Sequence, residues 1–195
     1  ESASITCVKP SGTVSQLVDS ASGIHARHNT HYIRTIRMDK KDPIYSFLKE
    51  KGVQVEDEQY RPDSTAVFSF PMKAPKGAIT RNDMTAMEQL ETWLIYQRHW
   101  CEHKPSVTIS VKDEEWMEVG AWVYKYFDEI SGISFLPYSD HSYVQAPYQD
   151  CSKLEYEKLK SITPQAIDFT TFIEEDDNTT SAQTLACTGS SCEIT

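Results

Sequence analysis

The sequence predicts an α/β fold from three observations: strand-like and helix-like stretches alternate, a Pro-Ser-Gly-Thr loop joins one of each, and no internal repeat breaks the order. Residues 4–9 (SITCVK) read as a buried strand that delivers the chain to Pro10, Ser11, Gly12 and Thr13. The loop then opens a helical stretch over VSQLVDSAS. Asp42 as N-cap, Pro43 at the first helical position and Gly52 just past the end bracket a helix over IYSFLKEK, with Ile44, Phe47 and Leu48 on one face. Residues 65–70 (TAVFSF) are strand-like, with Pro71 and Pro75 ending the strand before a turn at Lys76 and Gly77. Asn82 or Asp83 caps a long helix in which Met87, Leu90, Leu94 and Cys101 recur at helical spacing beside Trp93 and Trp100, all read as core. Pro105 stops that helix and residues 106–111 (SVTISV) alternate as a strand. Asp113 caps a further helix carrying Trp116, Val119, Val123 and Phe127, and residues 133–138 form one more short strand. The two middle crossovers imply mainly parallel pairing. About four strands are too few to close a barrel, so sheet edges stay open unless another segment covers them.

Composition narrows the function classes. With 195 residues and 39% hydrophobic content, the chain has the material for one real core. A net charge of -10 argues against a broad nucleic-acid surface, and no apolar run is long enough to span a membrane. Five cysteines make no even framework, and Cys7, Cys101 and Cys151 are scattered, which fits a reducing, cytoplasmic setting. The chain opens at Glu1 without Met and moves at once into a strand-like run, the expectation being a fragment or split subunit.

Two motifs carry chemistry. The Pro-Ser-Gly-Thr loop offers backbone N–H groups, the helix dipole and the hydroxyls of Ser11, Thr13 and Ser15 to an anion, phosphate above all, and Gly12 permits both φ > 0 and close approach. The same four residues also describe an ordinary turn. At the other end, Cys187 and Cys192 form a C-x4-C pair whose intervening Gly and hydroxyl residues let the loop bend for a disulfide, the arrangement of a redox shuttle. Residues 172–184 (FIEEDDNTTSAQT) are acidic and hydroxyl-rich, with too little apolar content to repay ordering, so a loose tether is expected. A zinc site competes weakly, because the nearest histidine is His141 and no C-x2-C occurs. A permanent disulfide closing so small a loop constrains little.

The run ITCVKPSGTVSQLVDSASGIHARHNTHYIRTIR resembles the phosphate-loop region of the large catalytic chain of ribonucleotide reductases, closest to the adenosylcobalamin-dependent class. The likeness continues through FSFPMKAPKGAITRNDMTAMEQLETWLIYQRHWCEHKPSVTISV and EWMEVGAWVYKYFDEISGISFLPYSDHSYVQAPY to the terminal C-x4-C. It implies the C-terminal part of a ten-stranded α/β barrel over residues 1–164, followed by a flexible redox tail over residues 165–195. It also implies a ribonucleotide substrate held at its phosphates by Ser11, Gly12 and Thr13. The Cys187–Cys192 pair would pass electrons to an active-site disulfide and be re-reduced by a thioredoxin-like protein. Adenosylcobalamin would supply the radical. The radical cysteine and the inner reducing pair lie upstream of the matched region in the family, so this chain is expected to be inactive without the N-terminal part. The competing expectation is a non-enzymatic phosphate-binding or redox-sensing module.

Other residues tempt and are discounted. His25, His28 and His31 step by three beside Arg27, Arg34 and Arg37, which suggests a metal site or a second anion pocket, yet no carboxylate or cysteine joins them, which disfavours a metal, and a structural ion pair is the commoner fate of Arg34 and Arg37. Cys101, Glu102 and His103 look like a Cys-His pair only on paper, and Asp140 with His141 reads as a loop pair.

Overall fold

The computed structural model describes residues 2–12, 14–138 and 144–173. Its elements in chain order are α1 (Val14–Leu17), β1 (His31–Asp39), α2 (Pro43–Glu50), β2 (Val55–Asp57), β3 (Thr65–Lys73), α3 (Ala86–His99), β4 (Thr108–Val111), α4 (Trp116–Lys125), β5 (Ser134–Pro137), β6 (Tyr148–Asp150) and α5 (Lys153–Ile162). They fall into two units that interleave in sequence, Glu1–Thr30 with Ala74–Asp140 and His31–Lys73 with His141–Thr195, each through its described residues.

In the unit that holds β1, the sheet order is β2-β3-β1-β6 and every pairing is antiparallel. This corrects the expectation that residues 65–70 feed a parallel crossover. The strand also runs through Pro71 to Lys73. Ser69 N–H points at Gln54 O, so the Pro71 nitrogen two residues on faces that same edge, beyond the last β2 pairing at Phe68, where a missing N–H costs nothing. Helix α2 forms as its local signals require. Asp42 Oδ1 accepts from Ile44 N–H at 2.9 Å, and at the far end Val53 N–H reaches Leu48 O while Gly52 N–H reaches Lys49 O. Gly52 sits at φ +83, and this Schellman closure brings Val53 onto Leu48 and Phe68 in the core. Helix α5 is closed by a reciprocal Ser152 and Glu155 capping box and packs against β1 and β3.

Residues 167–172 lie on α2: Ile167 joins the Leu48 cluster, and the rings of Phe169 and Phe172 sit 5.4 and 5.2 Å from Phe47. Phe172, expected at the start of a loose stretch, is therefore packed, because an aromatic ring finds an aromatic partner on α2.

In the other unit, β4 and β5 pair in parallel through the α4 crossover, the one expected crossover found as such. Leu90, Trp93 and Leu94 from α3 pack with Val107, Ile109, Val111, Val119 and Trp122. Trp93 meets Trp122 edge-on at 6.5 Å and donates its indole N–H to Pro105 O at 3.0 Å. The cap of α3 is Thr85 in a box with Glu88; Asp83 instead accepts from Thr80 N–H and hydroxyl, which spends it in a turn. Asp113 lies within a 3-10 turn (Asp113–Glu115) and does not cap α4. There the Glu115 carboxylate accepts from both Lys112 N–H and Ala86 N–H, tying the starts of two helices together. Trp100, read as core, is 58% exposed, and Phe127, placed on the helix after Asp113, is 71% exposed, since each falls just past its helix end.

Residues 4–9 form no named strand. They run extended, with Thr6 O and Val8 O accepting from His103 and Ser106 N–H and Ile5 84% exposed. One edge is bonded and the outer face is bare, so alternation in the sequence is real while burial is not.

Candidate functional site

The candidate loop is built by what precedes and follows it. Lys9 is pinned by its ammonium to Lys104 O and Ser106 Oγ at 3.0 and 3.1 Å, which removes it as a free cation. Gly12 adopts φ +57 with no atom within 4 Å of where a Cβ would stand, so the left-handed turn expected there is present and opens outward. Ser11 is exposed, its carbonyl accepts from Val14 N–H at 3.3 Å, and its own N–H is spent on Ser22 Oγ at 3.0 Å. Thr13 lies outside the described residues, and Ser15, expected to offer its hydroxyl to the anion, is instead buried with that hydroxyl donating to Gly12 O at 3.4 Å.

Helix α1 is a single turn, shorter than VSQLVDSAS suggests. Asp19 takes φ +52 and Ser20 N–H closes back on Ser15 O at 3.0 Å, a Schellman-type stop with Asp in the glycine position. So short a helix has little macrodipole, which removes the dipole from what the loop was expected to offer an anion.

The loop is backed by a second turn. Gly23, at φ +61, packs so tightly that an added Cβ would stand 2.9 Å from Lys9 O. His25 Nδ1 lies 2.7 Å from Ser22 O, and His25 Nε2 accepts from Thr108 N–H at 3.0 Å. Ser22 and Gly23 escaped the sequence reading as site residues, and His25 was weighed there with His28 and His31 and discounted. The Ser-Gly dipeptide signals a turn, but nothing local signals what it packs against.

The remaining candidates resolve into structural roles. Arg34 donates to Pro147 O at 3.0 Å and lies 4.5 Å over the Tyr148 ring, while Arg37 faces Glu58 at 3.7 Å, the structural ion pairing expected. His31 stacks against Tyr156 at 4.9 Å. Glu102 binds the backbone N–H groups of Ile5 and Thr6. Among the described residues no three His, Cys, Asp or Glu side chains gather as a metal site, and no helix is long and apolar enough to cross a membrane. Cys187, Cys192, Asp140 and His141 lie outside the described residues.

No family model matches the chain. The adenosylcobalamin-dependent ribonucleoside-triphosphate reductase of Euglena gracilis is 34% identical over 160 residues, 81% of this chain and 22% of that protein. That of Lactobacillus delbrueckii subsp. bulgaricus is 36% identical over 163 residues, again 81% and 22%. A crystal structure of a B12-dependent (class II) ribonucleotide reductase superposes with a TM-score of 0.65 at 31% identity, covering 80% of this chain and 22% of that one. The chain is homologous to one segment of the class II ribonucleotide reductases. It spans about a fifth of the length of the curated relatives it matches.

Cys7, Cys101 and Cys151 are free thiols. Burial, with Glu155 and Asp150 alongside, pushes the Cys151 thiol up, away from the thiolate that redox chemistry needs.

Proposed function

We propose that this chain is the C-terminal segment of an adenosylcobalamin-dependent ribonucleotide reductase, contributing the substrate phosphate loop and the terminal dithiol to an enzyme that converts ribonucleotides to deoxyribonucleotides. The observation that carries the reading is likeness along four-fifths of the chain, in sequence and in structure, to one enzyme class. The exposed left-handed turn at Gly12 supports it, falling where the class resemblance puts the phosphates. β4 and β5 are then two strands of the ten-stranded barrel. A two-stranded parallel pair is a poor free-standing sheet, which supports an N-terminal partner segment that completes it.

In this reading Gly12 brings its backbone close to the phosphate oxygens, while the hydroxyls of Ser11 and Thr13 donate to them. These contacts orient the ribose without touching the bond that breaks. Loss of the 2′ hydroxyl as water consumes an electron pair from an inner dithiol, which closes to a disulfide. A thiolate of the Cys187–Cys192 pair attacks that disulfide, and the second thiol resolves the mixed disulfide. The inner pair leaves as two thiols and the tail pair as a disulfide, which a thioredoxin-like dithiol of the cytoplasm reopens.

Adenosylcobalamin supplies the radical when bound. The groove along α3, about 480 Å³ and lined by Ile79, Met84 and Met87, carries Asp83, Glu88 and Glu91 on its rim and is too small for a corrin, so no residue of this chain is assigned to that group.

The test is reconstitution. The chain alone should form no deoxyribonucleotide, and adding the N-terminal segment with adenosylcobalamin and a dithiol should restore product. A reconstituted, folded assembly without product would contradict the reading.

A further inference from the structure

We propose that His25 is a positioning residue that fixes the phosphate loop to β4, an inference that rests on the loop reading above. A carbonyl only accepts, so the 2.7 Å contact with Ser22 O requires the proton on Nδ1. A backbone N–H only donates, so the 3.0 Å contact with Thr108 requires Nε2 to be bare. One tautomer, Nδ1–H, satisfies both, and it holds the ring between two points of backbone. The Ser22 carbonyl is gripped by the ring and the Ser22 hydroxyl accepts Ser11 N–H at 3.0 Å. A continuous path therefore runs from the first residue of β4, through His25 and Ser22, to Ser11 in the loop. β4 is rooted in the buried core through Ile109 and Val111, so the path ties an exposed loop to the most rigid part of its unit. Ile24, packed against that core, anchors the same turn from the apolar side. Gly23 and Lys9, whose ammonium reaches Ser106 Oγ two residues before β4, complete the backing.

His25 touches no substrate in this account. Its effect is on how well the loop is held before the phosphates arrive, which appears in KM and not in kcat. Substitutions separate the two bonds. Asn presents an amide N–H near the Nδ1 position and keeps the grip on Ser22, whereas Gln presents an acceptor near the Nε2 position and keeps the bond from Thr108.

The experiment uses the complete reductase, with KM for a ribonucleoside triphosphate and kcat measured for His25→Ala, His25→Asn and His25→Gln, and with Gly12→Val as the control on the loop itself. His25→Ala should raise KM about two- to tenfold with kcat within about twofold, the range expected for losing hydrogen bonds. Asn and Gln should fall between wild type and Ala, and they carry the comparison if the Ala variant does not fold. If Gly12→Val raises KM while all three His25 variants keep the wild-type value, the positioning role is overturned and the loop reading stands. A loss of kcat at unchanged KM in the His25 variants overturns it as well. If Gly12→Val also leaves KM unchanged, the loop reading fails and takes this inference with it.

Discussion

The ring of Phe172 lies 5.2 Å from that of Phe47, tilted by 54°, and so fastens the last described turn of the chain to α2. Fourteen residues lie between Phe172 and Cys187, so the fifteen steps of chain span at most about 54 Å at full extension. The proposed shuttle is thus rooted at Phe172 and not at residue 165. Phe172→Ala should increase proteolytic cleavage between residues 164 and 172 by about two- to tenfold, since an aromatic pair is worth about 0.5–1.5 kcal/mol. Timed digestion followed by mass spectrometry reads this; an unchanged cleavage rate would mean that the ring contacts do not hold the segment.

The core of the β4 unit should respond steeply. Leu90 is fully buried between α3 and the strands, and Leu90→Ala should cost about 2–5 kcal/mol. Trp93→Phe keeps most of the ring but strips the Pro105 carbonyl of its buried donor, at about 1–3 kcal/mol. Urea unfolding midpoints of the two variants against the parent measure both, and Leu90→Ala should be the larger.

Helix caps make stability fall in acid. Glu88 accepts from the backbone and hydroxyl of Thr85, and Glu155 from those of Ser152, holding both carboxyls below their usual range. A depressed folded-state pKa means the unfolded chain binds protons first. The stabilisation is therefore complete above the ordinary carboxylate value and is lost as pH falls, from about pH 5 downward. Glu88→Gln with Glu155→Gln should flatten the acid limb of thermal stability against pH. An acid limb identical to the parent's would place its origin elsewhere.

How much of this was legible depends on where the physics is local. Helix α2 was readable because Asp42, Pro43 and Gly52 act within a few residues of themselves. So was the turn at Gly12. Strand β1 was missed. Its Tyr32 and Thr35 are both buried three positions apart, so two faces of a central strand are covered and simple alternation is lost. Helix α5 carried a readable Ser152-x-x-Glu155 signature that went unread. The backing of the loop was invisible because His25 and Thr108 are 83 residues apart and neither type announces the other. The antiparallel pairing of β1 with β3 is likewise a long-range choice, made by packing and register and not by propensity.

The most direct test of the central claim removes the terminal sulfurs. In the complete reductase, Cys187→Ser with Cys192→Ser should abolish turnover driven by a thioredoxin-like reductant while turnover driven by a small dithiol, which reaches the inner pair itself, persists. Undiminished thioredoxin-driven turnover in that double variant would contradict the account.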